Sequence, residues 1–268
     1  MVRPDRAAVA AGKPDLFSVA GKRVLVTGGS RGIGRMIAAG FVEAGSRVII
    51  SARPSEELER AAAAMRADGE CVAVPADLAT MEGVRTLAAA VAETAPRLDV
   101  LVNNAGTTWG APPREFPVER WDAALATNLR SVFYLTVALL DRLRAAGTAD
   151  DPASVINIGS VDGLRVPDWD NFAYSASKAA LHQLTRQLAR RVAAEQVTVN
   201  AIAPGLFESK MTRFLLDDQA GRDRVTADVP LGRIGRPEDV IGVTRFLASR
   251  AGAYLTGTVI RVDGGLAI

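Results

Sequence analysis

The chain has 268 residues, 49% of them apolar, and 32 Lys and Arg against 30 Asp and Glu for a net charge of +2. A length of this order suits one large α/β domain, and the absence of a long Lys/Arg run argues against a nucleic-acid-binding surface. A lone cysteine, Cys71, and a lone histidine, His182, exclude an intramolecular disulfide, a thiolate cluster and a two-histidine metal motif, so no metal site is expected.

The first residues, MVRPDRAAVAAGKPD, lack the unbroken apolar core of a signal peptide and predict a disordered lead-in over 1–18. KRVLVTG (22–28) reads as a buried strand and RGIGRMIAAGFVEAG (31–45) as a helix closed by glycine. RVIISA (47–52) is the next strand, and 55–69 a helix with a Ser cap and a closing Gly. Then come a strand at 70–77, a helix near 80–95, and LDVLVNNAG (98–106) as strand and turn. A long helix covers 118–145, a strand 153–159, a helix 174–195, a strand 196–205, a helix 237–249 and a last strand 256–265. The stretch 206–232 has no regular pattern. The longest apolar run, VFYLTVALL (132–140), is shorter than the roughly 20 residues that span a bilayer, so a soluble cytoplasmic protein without a membrane partner is expected.

Continuous apolar strands alternating with amphipathic helices call for a parallel sheet covered on both faces. The expected fold class is therefore α/β, a doubly wound Rossmann-like sheet, as one domain over 19–268.

TGGSRGIG (27–34) follows a strand and opens a helix. In that context glycines serve a phosphate: Gly28 takes backbone angles closed to other residues, Gly32 leaves room beside the backbone, and Gly34 lets the helix pack closely. The free N–H groups of the helix start favour an anion. No G-K-[ST] follows, so this is not a nucleoside-triphosphate loop. A plain structural turn is the alternative. The second strand ends Ser51-Ala52-Arg53, with no acid for a free ribose hydroxyl, while Arg31 and Arg53 suit a 2′-phosphate. The expected cofactor is NADP(H); two solvated surface arginines are the alternative.

The T-G-x-x-x-G-x-G spacing, NNAG (103–106), Asn128, Ser160, YSASK (174–178), APG (203–205) and VDGG (262–265) occur in one order from about residue 20 onward. In this the chain resembles the short-chain dehydrogenase/reductase family. SRGIGRMIA, NNAGTTWGA, NIGSVDG, SKAALHQL and APGLFESKMTR particularly resemble its 3-oxoacyl-(acyl carrier protein) reductases of the rhamnolipid-biosynthesis type. The resemblance implies a cofactor site of Gly28, Ser30, Arg31, Gly32, Ile33, Gly34, Arg53, Asp77, Leu78, Asn104, Ala105, Gly106, Tyr174, Lys178, Pro204, Gly205 and Ser209. Asp77 reads equally as a helix N-cap. The resemblance also implies a substrate lid near 206–232 and a homotetramer, with a dimer as the other option.

Tyr174 and Lys178 are four apart on a predicted helix and share one face. The ammonium is expected to lower the tyrosine pKa from about 10 toward neutrality. Ser160, at a strand end, can bond the substrate oxygen. By resemblance, Lys178 also holds the nicotinamide ribose and Asn128 holds a water that passes protons to Lys178. The catalytic set is thus Asn128, Ser160, Tyr174 and Lys178, with Tyr174 giving its proton to a carbonyl that receives hydride. The interval between Ser160 and Tyr174 is one residue longer than in many relatives, and no loss of function is expected from it.

His182 is expected in packing, Cys71 in the core, and Asn103 as a brace for the central strand. Leu206, Phe207, Met211, Phe214 and Leu215 read as an acyl-chain pocket or an amphipathic helix face, with Arg213 attracting an acidic carrier. Trp109 and Trp169 are expected near the mouth. The expected substrate, by resemblance, is a 3-oxoacyl thioester, small or carrier-bound. A sugar-acid or polyol dehydrogenase is the alternative, and a non-catalytic NADP(H) sensor or scaffold the alternative of another class.

Overall fold

The computed structural model describes residues 15–209, 212 and 218–268. Seven strands form one parallel sheet: β1 Arg23–Thr27, β2 Arg47–Ala52, β3 Cys71–Pro75, β4 Val100–Asn103, β5 Ala153–Ile158, β6 Val197–Pro204 and β7 Val259–Val262. Their spatial order is β3-β2-β1-β4-β5-β6-β7, so the order reverses between β1 and β4. Ligands of such sheets bind at that reversal, beyond the carboxyl ends of the strands.

The strands are apolar on both faces because both are covered. Val24, Val26, Val48 and Ile50 face one core with α1 (Gly32–Glu43), α2 (Glu56–Met65) and α8 (Pro237–Ala248). Leu25, Ile49 and Leu101 face the other, with α3 (Met81–Thr94), α5 (Ser131–Arg144) and α6 (Phe172–Val192). Ser55 caps α2 and Thr80 caps α3 through side-chain bonds to Leu58 and Gly83.

The predicted helix at 118–145 is α4 (Val118–Leu125) running through a π-helical turn, Ala126–Arg130, into α5. As one rod, Val118–Arg144 is apolar and long enough to cross a membrane by composition, contrary to the shorter run read from sequence. Its inner side, Leu135, Leu139 and Leu143, is instead spent on the second core, while Phe133, Tyr134 and Val137 remain exposed.

Three expectations need correction. Residues 15–18, assigned to a disordered lead-in, are tied down: the Leu16 carbonyl accepts from Ala251 N at 3.0 Å, and Phe17 meets the Phe246 ring. Residues 1–14 of that segment lie outside the described residues. The patternless stretch 206–232 contains a helix, α7 (Gln219–Ala227), whose short polar sequence hides its period; it starts at an Asp218 cap. Asp77 does not cap α3; its carboxylate closes a local turn by accepting from Ala79 N, and Thr80 takes the cap.

Candidate active site

Thr27 and Ser51 are register partners at the ends of β1 and β2. The Ser51 carbonyl accepts Gly28 N at 2.6 Å and Gly29 N at 3.2 Å, so the glycine turn and the end of β2 leave the sheet together. Gly28 and Gly32 have φ of +66° and +55°, where a side chain would be strained. A Cβ on Gly34 would run into the Gly28 carbonyl and the Asn104 amide, so α1 is packed as closely on the turn as glycine permits. Beside Gly32 the nearest atom to such a Cβ is Ser209 Cβ, 3.4 Å away, which puts Ser209 over the turn. No side chain caps α1, leaving its first N–H groups for an anion. Ser30 and Gly34 are buried and Ile33 is half-buried. This donor set fits a dinucleotide pyrophosphate.

Thr27, not singled out in the sequence, organises the next layer. Its hydroxyl accepts Asn104 N at 2.9 Å and Ala105 N at 3.0 Å. The Asn104 amide donates to Thr27 O and Gly28 O. The NNAG turn is thereby locked onto the glycine turn. Asn103 braces the sheet as expected, donating to Thr136 Oγ1 and Asn157 Oδ1. Arg31 and Arg53 are both exposed beyond β1 and β2. Arg31 Nη1 is 3.1 Å from Glu57 Oε2, an acid on α2 whose sequence context gives no sign of this pairing. Asp77 and Leu78 follow β3 at the same end of the sheet. Pro204 ends β6, and Gly205 is fixed by donation to Val262 O at 3.0 Å.

The π turn brings Asn128 fully inside. Its amide oxygen accepts Thr107 N at 2.8 Å, and its nitrogen donates to Thr107 O and Ser177 Oγ, both at 2.9 Å. Both amide hydrogens are engaged, so this side chain joins the helix bend, the loop after Gly106 and α6. A Cβ on Gly106 would sit 3.3 Å from Asn128 Oδ1 and 3.7 Å from Lys178 Nζ.

Ser160 starts the turn after β5, where its hydroxyl accepts Asp162 N at 3.1 Å. It also lies near enough to the Tyr174 hydroxyl to favour the ionised phenol. Lys178 Nζ is buried, donates to Ile158 O at 2.7 Å, and lies 5.5 Å from the Tyr174 ring centre. Burial pushes the Lys178 ammonium down to about 8. It pushes the Tyr174 phenol up to about 12, with the Ser160 hydroxyl opposing and the Asp162 carboxylate adding to the rise. The expected lowering of Tyr174 is thus reversed: a desolvated phenol resists ionisation, and Lys178 spends its bond on a carbonyl. The site holds tyrosine in its acid form beside a second hydroxyl, which is an arrangement for donating a proton to an oxygen.

His182 is buried against Gly159, where a Cβ would collide with its ring, and burial pushes it down to about 4. Cys71 is core, its thiol pushed up to about 11 by burial. Leu206 and Phe207 line a cavity of about 440 Å³ with Val229, Pro230 and Ile268. Met211, Arg213, Phe214 and Leu215 lie outside the described residues. Trp109 is stacked under the Arg120 guanidinium at 4.0 Å, and Trp169 donates to Asp162. Among the described residues no cluster of His, Cys, Asp and Glu suits a metal.

Residues 28–267 match the family model described as enoyl-(acyl carrier protein) reductase. The chain is 50% identical over 249 residues to the rhamnolipids biosynthesis 3-oxoacyl-[acyl-carrier-protein] reductase of Pseudomonas aeruginosa, spanning 93% of this chain and 97% of that relative. It is 34% identical over 257 residues to gluconate 5-dehydrogenase of Gluconobacter oxydans, spanning 95% of this chain and 98% of the relative. The solved Pseudomonas aeruginosa RhlG/NADP active-site complex superposes with a TM-score of 0.92 at 49% identity, over 94% of this chain and 99% of that one. With this sheet order, the glycine turn and the Ser160–Tyr174–Lys178 set in place, the chain belongs to the short-chain dehydrogenase/reductase family.

Proposed function

We propose that the protein is an NADPH-dependent carbonyl reductase that converts a 3-oxoacyl thioester to the 3-hydroxyacyl thioester. The observation that carries this reading is the hydroxyl pair of Ser160 and Tyr174 next to buried Lys178, beyond the strand ends and beside the glycine turn. The 50% identity to a 3-oxoacyl reductase over 93% of this chain and the likeness to an NADP complex support the substrate and the cofactor.

Gly28, Ser30, Gly32, Ile33 and Gly34 would hold the pyrophosphate, and Arg31 and Arg53 the 2′-phosphate. Asp77 and Leu78 would meet the adenine, Asn104, Ala105 and Gly106 the neighbouring ribose wall, and Pro204, Gly205 and Ser209 the nicotinamide side. When bound, the reduced nicotinamide supplies hydride to a carbonyl carbon. Ser160 holds the carbonyl oxygen by a hydrogen bond, and Tyr174 donates its proton there as negative charge develops. Lys178 sits below to compensate the phenolate, and Asn128 keeps Lys178, Ser177 and the Thr107 loop in register. A cytoplasmic homotetramer accompanies this reading, supported by the exposed Phe133, Tyr134 and Val137 on α5.

The likeness to gluconate 5-dehydrogenase favours one second reading, a sugar-acid dehydrogenase. Incubation with a 3-oxoacyl thioester and NADPH, followed by mass spectrometry, tests the choice. A product two mass units heavier is expected; turnover of 5-ketogluconate alone would favour the second reading.

A further inference from the structure

We infer that Asp162 is a specificity-determining residue of this site: its fixed carboxylate favours ketones uncharged around the reacting carbon and disfavours ketones that carry their own carboxylate. The inference rests on reading the site as a carbonyl-reducing centre.

The loop between Ser160 and Tyr174 holds 13 residues and has no part in the reaction described above. In the structure it is tied to the chemistry at both ends. Asp162 is only 7% exposed. Its main-chain N–H donates to Ser160 Oγ at 3.1 Å, so its position and that of the serine hydroxyl are set together. One carboxylate oxygen, Oδ2, accepts Trp169 Nε1 at 3.2 Å and Asn171 Nδ2 at 2.9 Å. Asn171 in turn accepts Ser175 Oγ at 2.6 Å, immediately after Tyr174. The far side of the loop is anchored as well, since Asp170 O accepts Ala111 N at 3.2 Å.

Both donors to the carboxylate are neutral, and among the described residues no cation pairs with it. Neutral donors orient a carboxylate without cancelling its charge. The charge reaches the reacting groups, because it contributes to the rise of the Tyr174 pKa. The Lys178 ammonium is directed to Ile158 O. A ketone held by Ser160 and Tyr174 would therefore lie in the field of this carboxylate. A thioester presents no charge there. An oxo acid a few carbons long brings its carboxylate into the same poorly solvated space, where like charges repel more strongly than in water.

The two bonds ending on one oxygen make the charge separable from the tie. Asp162→Asn keeps one acceptor oxygen for Trp169 and Asn171 and removes the charge; Asp162→Ala removes both. The probes are 5-oxohexanoate and its methyl ester, which share the ketone and its spacing and differ in charge and by one methyl group, so the comparison between wild type and Asp162→Asn isolates the charge. Turnover with NADPH is measured, together with calorimetric affinity for the NADP⁺-loaded enzyme. The wild type is expected to prefer the ester by about tenfold or more, and Asp162→Asn to bring the two within about twofold. Asp162→Ala is expected to weaken both probes alike. Equal handling of the probes by the wild type, or an unchanged preference in Asp162→Asn, overturns the inference. If neither probe is turned over, the affinities decide in the same way. A 3-oxoacyl thioester is run on the same preparations. Its failure, with the Asp162-dependent preference intact, removes the thioester reading and leaves this one.

Discussion

Glu57 on α2 meets Arg31 of the glycine turn, its carboxylate oxygen 3.1 Å from a guanidinium nitrogen. The acid orients the arginine, and it also competes with any phosphate for it. Exposed pairs of this kind are weak. Arg31→Ala and Arg53→Ala are each expected to raise the Kd for NADPH about tenfold or more, as loss of a charge-assisted bond does, and to spare NADH. Glu57→Gln is expected to tighten NADPH by up to about fivefold. Cofactor fluorescence titration reads all three. An unchanged NADPH-to-NADH ratio in both arginine variants sinks the 2′-phosphate assignment.

Tyr174→Phe removes the only phenol at the site and keeps its ring in place. Turnover is expected to fall by roughly 10²–10⁴-fold, the range for a positioned acid, with NADPH affinity nearly unchanged. A sensor or scaffold would lose nothing, so stopped-flow turnover together with titration separates the two classes.

Gly34→Ala places a methyl group against the Gly28 carbonyl and the Asn104 amide. Backbone on the far side gives way poorly. A loss of about 1–3 kcal/mol in stability is expected from overpacking, together with weaker cofactor binding, because α1 must lift off the turn. Denaturant titration in the presence and absence of NADPH checks both. A fully stable variant with normal affinity would mean that the turn is looser than described.

His182 is neutral when folded, with its pKa pushed down to about 4, against about 6.5 when unfolded. Between those values the unfolded chain binds a proton that the native chain refuses, so stability falls as pH drops from about 6.5 to 4. His182→Asn is expected to flatten this part of the stability-against-pH curve, as measured by urea unfolding at stepped pH. An identical slope in the variant would assign the acid sensitivity elsewhere.

The sheet was legible in the sequence because buried parallel strands read as short β-branched runs. KRVLVTG became β1 and QVTVNAIAPG became β6 with trimmed ends. Ser160, Tyr174 and Lys178 were legible as a spaced set and do converge. What escaped depends on through-space partners. Thr27 looks like an ordinary strand end until Asn104 and Ala105 close over it. Glu57 looks like a solvated helix acid until α2 brings it to Arg31. The direction of the Tyr174 shift follows from burial and from Asp162, neither of which a Y-x-x-x-K spacing carries. Helix α7 was missed because its nine residues offer only one buried position, Gly221.

The most direct measurement is the loss of reduced-cofactor absorbance with purified protein and a 3-oxoacyl thioester, with NADPH and NADH in parallel. The account predicts rapid loss with NADPH and little with NADH. Loss with NADH alone would contradict the placement of Arg31 and Arg53. No loss with either cofactor would contradict the 3-oxoacyl reductase assignment itself.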